Sequence, residues 1–283
     1  MKPRNVVMSR RSDIVKNAER QVELEAKVDQ FIERLASYEG SPTVFNPWRD
    51  YEPTLDISEE APAIRRDQLR QYLVARLGGC PYVIIAEAMG YQGGRFSGIA
   101  ITCERMLLGF HDEIESSMIL PHGEGQRTSL ATSPLITKAK VRKEGFNEPT
   151  DTVVWTTLLD NEINPYEALL WNIFPFHPHE AENLLSNRTP TEAELAIGGT
   201  FAKELLVLNN LALHGQVELA QALGSAATEE MPNSSVFAVG RKAYGVLEEQ
   251  RIFSYSLRHP ANGGAQQYRD QFAEIYSFLP NRA

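Results

Sequence analysis

The stretch Tyr82-Val83-Ile84-Ile85-Ala86-Glu87-Ala88-Met89-Gly90, continuing through Tyr91-Gln92-Gly93-Gly94-Arg95-Phe96-Ser97-Gly98, decides the fold. Its first half is a short apolar run rich in β-branched residues, which is typical of a strand buried on both faces. This run leads into a glycine-rich loop whose first polar side chain is Glu87. Ligands of open α/β sheets bind beyond the carboxyl ends of the strands, so we expect Glu87 at the rim of a site.

Two later stretches have the same form. One predicted strand ends at Trp171-Asn172, and another ends at Arg258-His259-Pro260. Because the carboxyl ends of parallel strands share one edge of a sheet, we expect the carboxylate of Glu87, the amide of Asn172 and the imidazole of His259 to converge on one pocket.

The rest of the chain alternates between strand and helix patterns, which indicates the α/β class with a parallel sheet covered on both faces. Besides the first strand, we predict strands at 168–173, 235–239 and 252–256. Helices are predicted around 24–35, 69–77, 102–114, 152–159, 189–208, 240–247 and 264–278. We divide the chain into an N-terminal helical extension, 1–79, and an α/β domain, 80–283.

Two helix starts have specific signals. Thr102 is the predicted N-cap of a helix that carries Met106 through Ile114. Thr189-Pro190-Thr191-Glu192 has an N-cap residue, a proline in the first turn and a glutamate that would complete a capping box. The segment between them from Leu120 to Pro149 is irregular and polar, as functional or disordered loops are.

The composition excludes several classes of protein. The 283 residues carry a net charge of −9 and two cysteines, too few for a disulfide framework or a four-thiolate iron–sulfur cluster. No apolar run is long enough to cross a bilayer and the first residues lack a signal-peptide core, so we expect a cytoplasmic protein without a membrane partner. The negative charge argues mildly against wide coverage of nucleic acid but allows a local basic groove. We interpret one basic cluster, Lys138, Lys140, Arg142 and Lys143, as solvated surface charge.

The residues at the predicted rim suit hydrolysis of a bond between a sugar and a nucleobase. Glu87 would hold or polarise a water, or stabilise the oxocarbenium-like sugar. Asn172 offers a donor and an acceptor to a pyrimidine edge, and His259 would donate a hydrogen bond where charge develops on the leaving base. A base in duplex DNA must first be flipped out of the stack, and the loop from Arg258 to Gly264 would be the inserting element.

Each of these residues also has a simpler interpretation. Glu87 is equally consistent with a surface carboxylate, Asn172 with the cap of a turn, and His259 with a loop histidine bonded to backbone. His177 and His179 lack a third ligand at metal-binding spacing, which favours a structural or substrate-contacting role. Only the common placement of the three rim residues favours an enzyme.

The order of its sequence motifs makes the chain similar to the uracil-DNA glycosylase superfamily, and within it to the bacterial family-4 enzymes. The first motif stands here as Ala86-Glu87-Ala88-Met89-Gly90 with Gly98-Ile99-Ala100-Ile101-Thr102. The later motifs are, in order, Trp171-Asn172-Ile173-Phe174-Pro175, Asn187-Arg188-Thr189-Pro190-Thr191, Phe237-Ala238-Val239-Gly240-Arg241-Lys242-Ala243 and Arg258-His259-Pro260-Ala261-Asn262-Gly263-Gly264. The resemblance runs from about Pro81 to the C-terminus.

This resemblance implies a three-layer α/β/α fold with a central four-stranded parallel sheet, DNA binding, base flipping and monofunctional glycosylase chemistry. Glu87 and His259 would be catalytic. The residues expected to bind the substrate are Asn172, Ile101, Met89, Tyr91 and Phe174. Those expected to contact DNA are Arg95, Arg188, Arg241, Arg258, Asn262 and Gly263. We expect DNA as the partner of a monomeric protein that needs no cofactor and no metal.

The chain departs from the family pattern in three ways. The cluster cysteines of family 4 are absent, Ile101 replaces the aromatic residue that would stack on uracil, and Ala100 replaces the neighbouring proline. Losing a ring platform makes room for a different base. We therefore expect excision of a bulkier pyrimidine, such as glucosylated hydroxymethylcytosine of phage DNA in antiviral defence. The alternatives are uracil repair, a non-catalytic DNA-binding module and an enzyme of free nucleosides.

Overall fold

A central parallel sheet organises the molecule. The computed structural model describes residues 4–78, 80–123, 125–214 and 234–279. The four-stranded sheet has the order β3-β2-β5-β6, and a separate antiparallel pair joins β1 to β4. In chain order the strands are β1 (Val44–Phe45), β2 (Tyr82–Ala88), β3 (Ala168–Phe174), β4 (His177–Pro178), β5 (Ser235–Val239) and β6 (Tyr255–Leu257).

Helices cover both faces of this sheet, so the α/β/α architecture predicted from the sequence is confirmed. Helices α1, α7 and α8 lie on one face, while α6 and α9 lie on the other face. The helices are α1 (Arg4–Ser37), α2 (Ala61–Val74), α3 (Gly94–Ser97), α4 (Glu104–Leu107), α5 (Ala139–Glu144), α6 (Pro149–Asp160), α7 (Glu192–His214), α8 (Arg241–Glu249) and α9 (Ala265–Phe278). Single 3-10 turns lie at Ser116–Met118 and Pro165–Glu167.

The N-terminal extension shares its hydrophobic core with the sheet. The ring of Phe31 on α1 lies 5.7 Å from that of Trp171 on β3, and Trp48 stacks on Trp171 at 6.3 Å with the two planes 4° apart. The extension therefore covers the strand that carries Asn172. The predicted domain boundary falls at residue 79, which lies outside the described residues.

Two predicted helix starts are wrong. Helix α4 begins after Cys103 rather than after Thr102. It ends at Leu107 because Gly109 takes a left-handed conformation with φ 72° and its N–H bonds to Met106 O. The Thr102 hydroxyl donates instead to Ala100 O. The capping box of α7 is two residues later than predicted: Thr191 N–H donates to the Glu194 carboxylate, and Glu194 N–H donates to Thr191 Oγ1.

The segment 120–149 is an ordered part of the fold in its described residues. The buried carboxylate of Glu104 accepts hydrogen bonds from the backbone N–H groups of Thr128 and Ser129 at 2.9 and 2.8 Å, and from the Ser129 hydroxyl at 2.6 Å. Charged acceptors of this kind are about twice as strong as neutral ones. One carboxylate thus holds the long segment against α4.

Replacing Glu104 by alanine is expected to lower the free energy of unfolding by about 3 kcal/mol, because buried donors would lose their acceptor. Urea denaturation measures the change. Glu113→Ala removes an exposed carboxylate from the same region and should change stability little. Equal effects of the two substitutions would contradict the role assigned to Glu104.

Candidate functional site

The carboxyl ends of the sheet strands bring the three predicted rim residues to one edge. Ala86 pairs with Asn172 across β2 and β3, and Val239 pairs with Leu257 across β5 and β6. Glu87 is the penultimate residue of β2, Asn172 lies near the end of β3, and His259 follows β6 by two residues. These strand ends form the candidate site.

Asn172 presents a buried group without a partner. The residue is 3% exposed, and its Oδ1 atom makes no hydrogen bond within the described part of the chain. Leaving a buried acceptor unpaired costs roughly 1–3 kcal/mol, so such a group is rare in a purely structural role. Asn172 lies inside a strand, which removes the simpler interpretation of this residue as the cap of a turn.

His259 is held as a neutral donor. The Ala261 N–H donates to His259 Nδ1 at 3.1 Å, which leaves the ring proton on Nε2. Burial lowers the pKa of His259, and the nearby Arg258 charge lowers it further. A Cβ atom on Gly240 would lie 3.4 Å from His259 Cβ, so the turn after β5 supports the ring closely. Neutral Nε2–H can donate to charge that develops on a ligand.

Glu87 reaches the same edge from the opposite face of the sheet. Ala86 and Ala88 register with Asn172 and Phe174, so alternation turns the Glu87 side chain away from the Asn172 face. Burial raises the pKa of Glu87, and Lys242 opposes this shift. Lys242 Nζ lies 2.7 Å from Glu192 Oε1, an ion pair between the starts of α8 and α7. The structure therefore places all three residues at the carboxyl end of the sheet, with Asn172 and His259 on or after its two outer strands and Glu87 turned to the face opposite Asn172.

The predicted base-contacting residues differ in accessibility. Phe174 and Met89 are buried, and Phe174 packs 5.3 Å from Phe176, so they shape the site from within the core. Tyr91 is partly exposed, its N–H donates to Asn187 Oδ1 at 3.0 Å, and its ring lies 6.0 Å from that of Phe146.

Ile101 has a strained backbone. Its φ of 51° is left-handed, which β-branched residues rarely adopt, and Trp155 Nε1 donates to its carbonyl at 2.9 Å. The side chain is 4% exposed. Strain of order 1–3 kcal/mol persists when surrounding contacts enforce it and often marks a functional position.

The predicted DNA-contacting residues fall into two groups. Arg241, Asn262 and Gly263 are exposed and Arg258 is partly exposed, with Asn262 and Gly263 in consecutive left-handed conformations at the tip of a tight turn. Arg188 donates from Nη1 and Nη2 to the two carboxylate oxygens of Glu194, which leaves it little freedom to reach a phosphate.

Arg95 lies in the interior, where a DNA backbone cannot reach it. Its guanidinium lies between the rings of Phe45 and Phe96, at 3.9 and 4.2 Å, and its Nη1 bonds to Asp56 Oδ1 at 3.1 Å. Burial lowers the pKa of Arg95 to about 10. Asp56 also pairs with Arg65. This buried cluster supports the loop after β2, residues 89–98, which we call the first-motif loop. The expected surface role of Arg95 is corrected accordingly.

Each of the two histidines after β3 bonds to a backbone carbonyl of the loop that follows, and His177 Nδ1 has no partner within the described residues. His177 Nε2 donates to Ser186 O at 2.8 Å, and burial lowers the pKa of His177 to about 3, so the ring is neutral. His179 Nδ1 bonds to Glu180 O at 2.9 Å. Both histidines hold the loop that leads to Asn187.

A carboxyl pair beside the first-motif loop escaped the sequence analysis. Asp151 is 4% exposed, and its Oδ2 has no partner within the described residues. A Cβ on Gly93 would lie 2.8 Å from that oxygen, and one on Gly90 would lie 3.5 Å from Glu148 Oε2. Burial raises the pKa of Asp151 well above its usual value, and the charge of Glu148 adds to this shift. Only their spacing at the start of α6, with Glu148 at the N-cap and Asp151 in the first turn, hinted at such a pair.

Asp151→Asn is expected to raise the thermal stability at pH 7–8, and the gain should shrink toward pH 4. A raised folded-state pKa means that the acid stabilises the fold below its unfolded pKa and loses that contribution as pH rises. Melting temperatures across this range measure the effect. Asp160→Asn, at the exposed end of the same helix, is the control. A gain that does not change with pH would contradict the raised pKa of Asp151.

Comparisons with known proteins bear on the fold alone. The chain matches no model of a known protein family and no curated protein sequence. Among solved structures it is similar to wild-type Pedobacter heparinus SMUG2, with a TM-score of 0.51 and 16% sequence identity. The alignment covers 90% of this chain and 97% of that chain. In the described residues no helix is long and apolar enough to cross a membrane. The edge that carries Asn172 and His259 thus belongs to a fold shared with SMUG2.

Proposed function

We propose that the protein is a monofunctional DNA glycosylase that hydrolyses the N-glycosidic bond of a flipped pyrimidine and leaves an abasic site. The observation that carries this proposal is the unpaired, buried amide oxygen of Asn172 at the same edge as the Nε2–H donor of His259. These groups suit a base edge and the charge that forms on a leaving base. The motif order and the fold shared with SMUG2 support the same activity.

The chemistry needs one water and no cofactor. The bond between C1′ and the base nitrogen breaks, and its electron pair leaves with the base. Water adds to the oxocarbenium-like C1′, and its proton is lost to a carboxylate or to the departing base. His259 stabilises the anionic base by hydrogen bonding, Asn172 binds its edge, and Glu87 orients the water or stabilises the sugar cation.

The proposed substrate is a pyrimidine bulkier than uracil, such as glucosylated hydroxymethylcytosine of phage DNA, which would place the enzyme in antiviral defence. The support is the pair Ala100 and Ile101, which replaces a proline and a ring platform. An aliphatic side chain offers no flat face for stacking on a small base. Excision of uracil in repair is the alternative within the same chemistry.

A non-catalytic DNA-binding module is the second candidate function. The orientation of Glu87, on the face of the sheet opposite Asn172, favours it, because a water held by Glu87 would have to reach the sugar around the strand end. A binding module would retain DNA without forming abasic product, and Glu87→Gln would leave its affinity unchanged.

Asn172→Ala and His259→Ala are each expected to reduce abasic-site formation by about 100-fold or more, as loss of a charge-stabilising donor does in other enzymes. The assay uses duplexes that contain uracil or phage-modified cytosine and measures abasic sites. His122→Ala, an exposed histidine, is the control, and thermal melting verifies that each variant folds.

The substrate panel separates the possibilities. Product from modified DNA supports the bulky-base proposal, and product from uracil DNA alone contradicts it. Wild-type binding without product on every DNA would favour the binding module. Normal activity of both variants would remove Asn172 and His259 from the mechanism.

Lys242→Gln is expected to shift the acidic limb of the pH–rate profile to higher pH. Burial raises the pKa of Glu87 and Lys242 opposes that shift, so without the ammonium the carboxylate forms only at higher pH. Single-turnover rates measure the shift, and Lys242→Arg should restore the original profile because it keeps the charge. An unchanged profile would exclude Glu87 as the ionisable group that limits the rate.

A further inference from the structure

We propose that helix α5 and the groove beside it bind the DNA strand on one side of the flipped nucleotide. This inference rests on the proposed glycosylase function and assigns DNA contacts to a region outside the family-like motifs. The flanking groove is defined by Leu135, Glu182, Asn183, Leu184 and Leu185 and has a volume of about 240 Å³. In the sequence, Lys138, Lys140 and Lys143 resemble ordinary surface charge, but their placement beside this groove indicates a binding role.

The lysines of α5 form an exposed positive face. Lys140 and Lys143 lie three residues apart on the exposed side of α5, Lys138 directly precedes the helix and is also exposed, and Val141 is buried. Within the described part of the chain, Lys140 has one ion pair, with Glu144 at 3.8 Å, and Lys138 and Lys143 have none. Exposed ammonium groups along one short segment suit a row of phosphates, whose binding releases counterions.

Two arginines hold α5 in place. Arg127 donates to Arg142 O and Val141 O, at 2.7 and 2.9 Å, and so satisfies carbonyls near the end of the helix. Arg142 donates from Nε to Ile136 O at 2.6 Å. A short helix fixed in this way presents its lysines without a large ordering cost on binding.

The flanking groove has the chemistry of a nucleobase site. Leu135 is 51% exposed, and with Leu184 and Leu185 it offers an apolar surface to the face of a base. Glu182 and Asn183 add an acceptor and an amide at the same groove, which suit the polar edge of a base. The lysines begin three residues after Leu135, so a strand could place a base in the groove and its phosphates on α5.

The groove adjoins the loop that follows β2. Leu184 and Leu185 pack in one apolar cluster with Tyr91 and Phe146. The loop that carries them ends at Asn187, whose Oδ1 accepts the Tyr91 N–H of the first-motif loop. A strand leaving the candidate site past the loop after β2 would therefore reach the groove and α5.

The test measures binding of a fluorescein-labelled duplex that carries one abasic site, by anisotropy at several salt concentrations. The triple variant Lys138→Gln, Lys140→Gln and Lys143→Gln should weaken binding about tenfold or more at low salt. The slope of log affinity against log salt should fall by about two to three, one phosphate contact for each lysine. The control triple Lys27→Gln, Lys203→Gln and Arg251→Gln removes the same charge from α1, α7 and the turn after α8 and should leave the slope unchanged.

Leu135→Ser tests the base contact separately. It should weaken binding about threefold to tenfold with no change in the salt slope, because it removes apolar contact and no charge. Its melting temperature should stay near that of the wild type, since the residue is half exposed.

The outcomes distinguish this inference from the proposed function. If the wild type forms abasic product but the lysine triple shows the same salt slope as the control triple, the α5 contact is wrong and the glycosylase proposal stands. If Leu135→Ser binds like the wild type, the groove does not hold a base. If the wild type forms no abasic product on any DNA, the glycosylase proposal fails whatever the salt slope.

Discussion

The hydrogen-bonded register between β2 and β3 is the constraint on which the candidate site depends. It sets Ala86 beside Asn172 and Ala88 beside Phe174, between the outer strand β3 and its inner neighbour β2. A slip by one residue would exchange the faces of every side chain on β3 and would bury the Asn172 amide in the opposite layer. The aromatic contacts of Trp171 with Phe31 and Trp48 favour this register, because the slipped strand would remove the ring from its core position.

Buried charges hold the loops at the site, and they use residues that look like surface contacts in the sequence. The Arg95 guanidinium bonds to Asp56 beneath the first-motif loop, and the Glu104 carboxylate binds the backbone at Thr128 and Ser129. Buried ion pairs gain little stability over apolar packing but are costly to break, because one partner leaves an unpaired charge. Such pairs therefore position loops more than they stabilise the fold.

The helices and strands that were predicted correctly from the local sequence were those with strong hydrophobic periodicity. β5 has the predicted bounds, and β3 and α9 agree within about one residue, because long apolar runs and amphipathic stripes survive tertiary packing. The helix expected after Thr102 stops at Leu107, since Gly109 and the strained Ile101 favour turns that short-range propensity does not reveal. The surface position predicted for Arg95 was wrong for a similar reason. A charged residue in a polar loop gives no local indication that it will pair with Asp56 in the core.

The sequence by itself determined the alternation of strands and helices, the parallel sheet and the order of the polar residues at the strand ends. These follow from periodicity and from the rule that parallel strands end at one edge. Only the tertiary structure decided which face of the sheet each side chain takes, which charges are buried and which are free. Those properties depend on register and on contacts between residues far apart in the chain, such as Asp56 with Arg95 and Gly93 with Asp151.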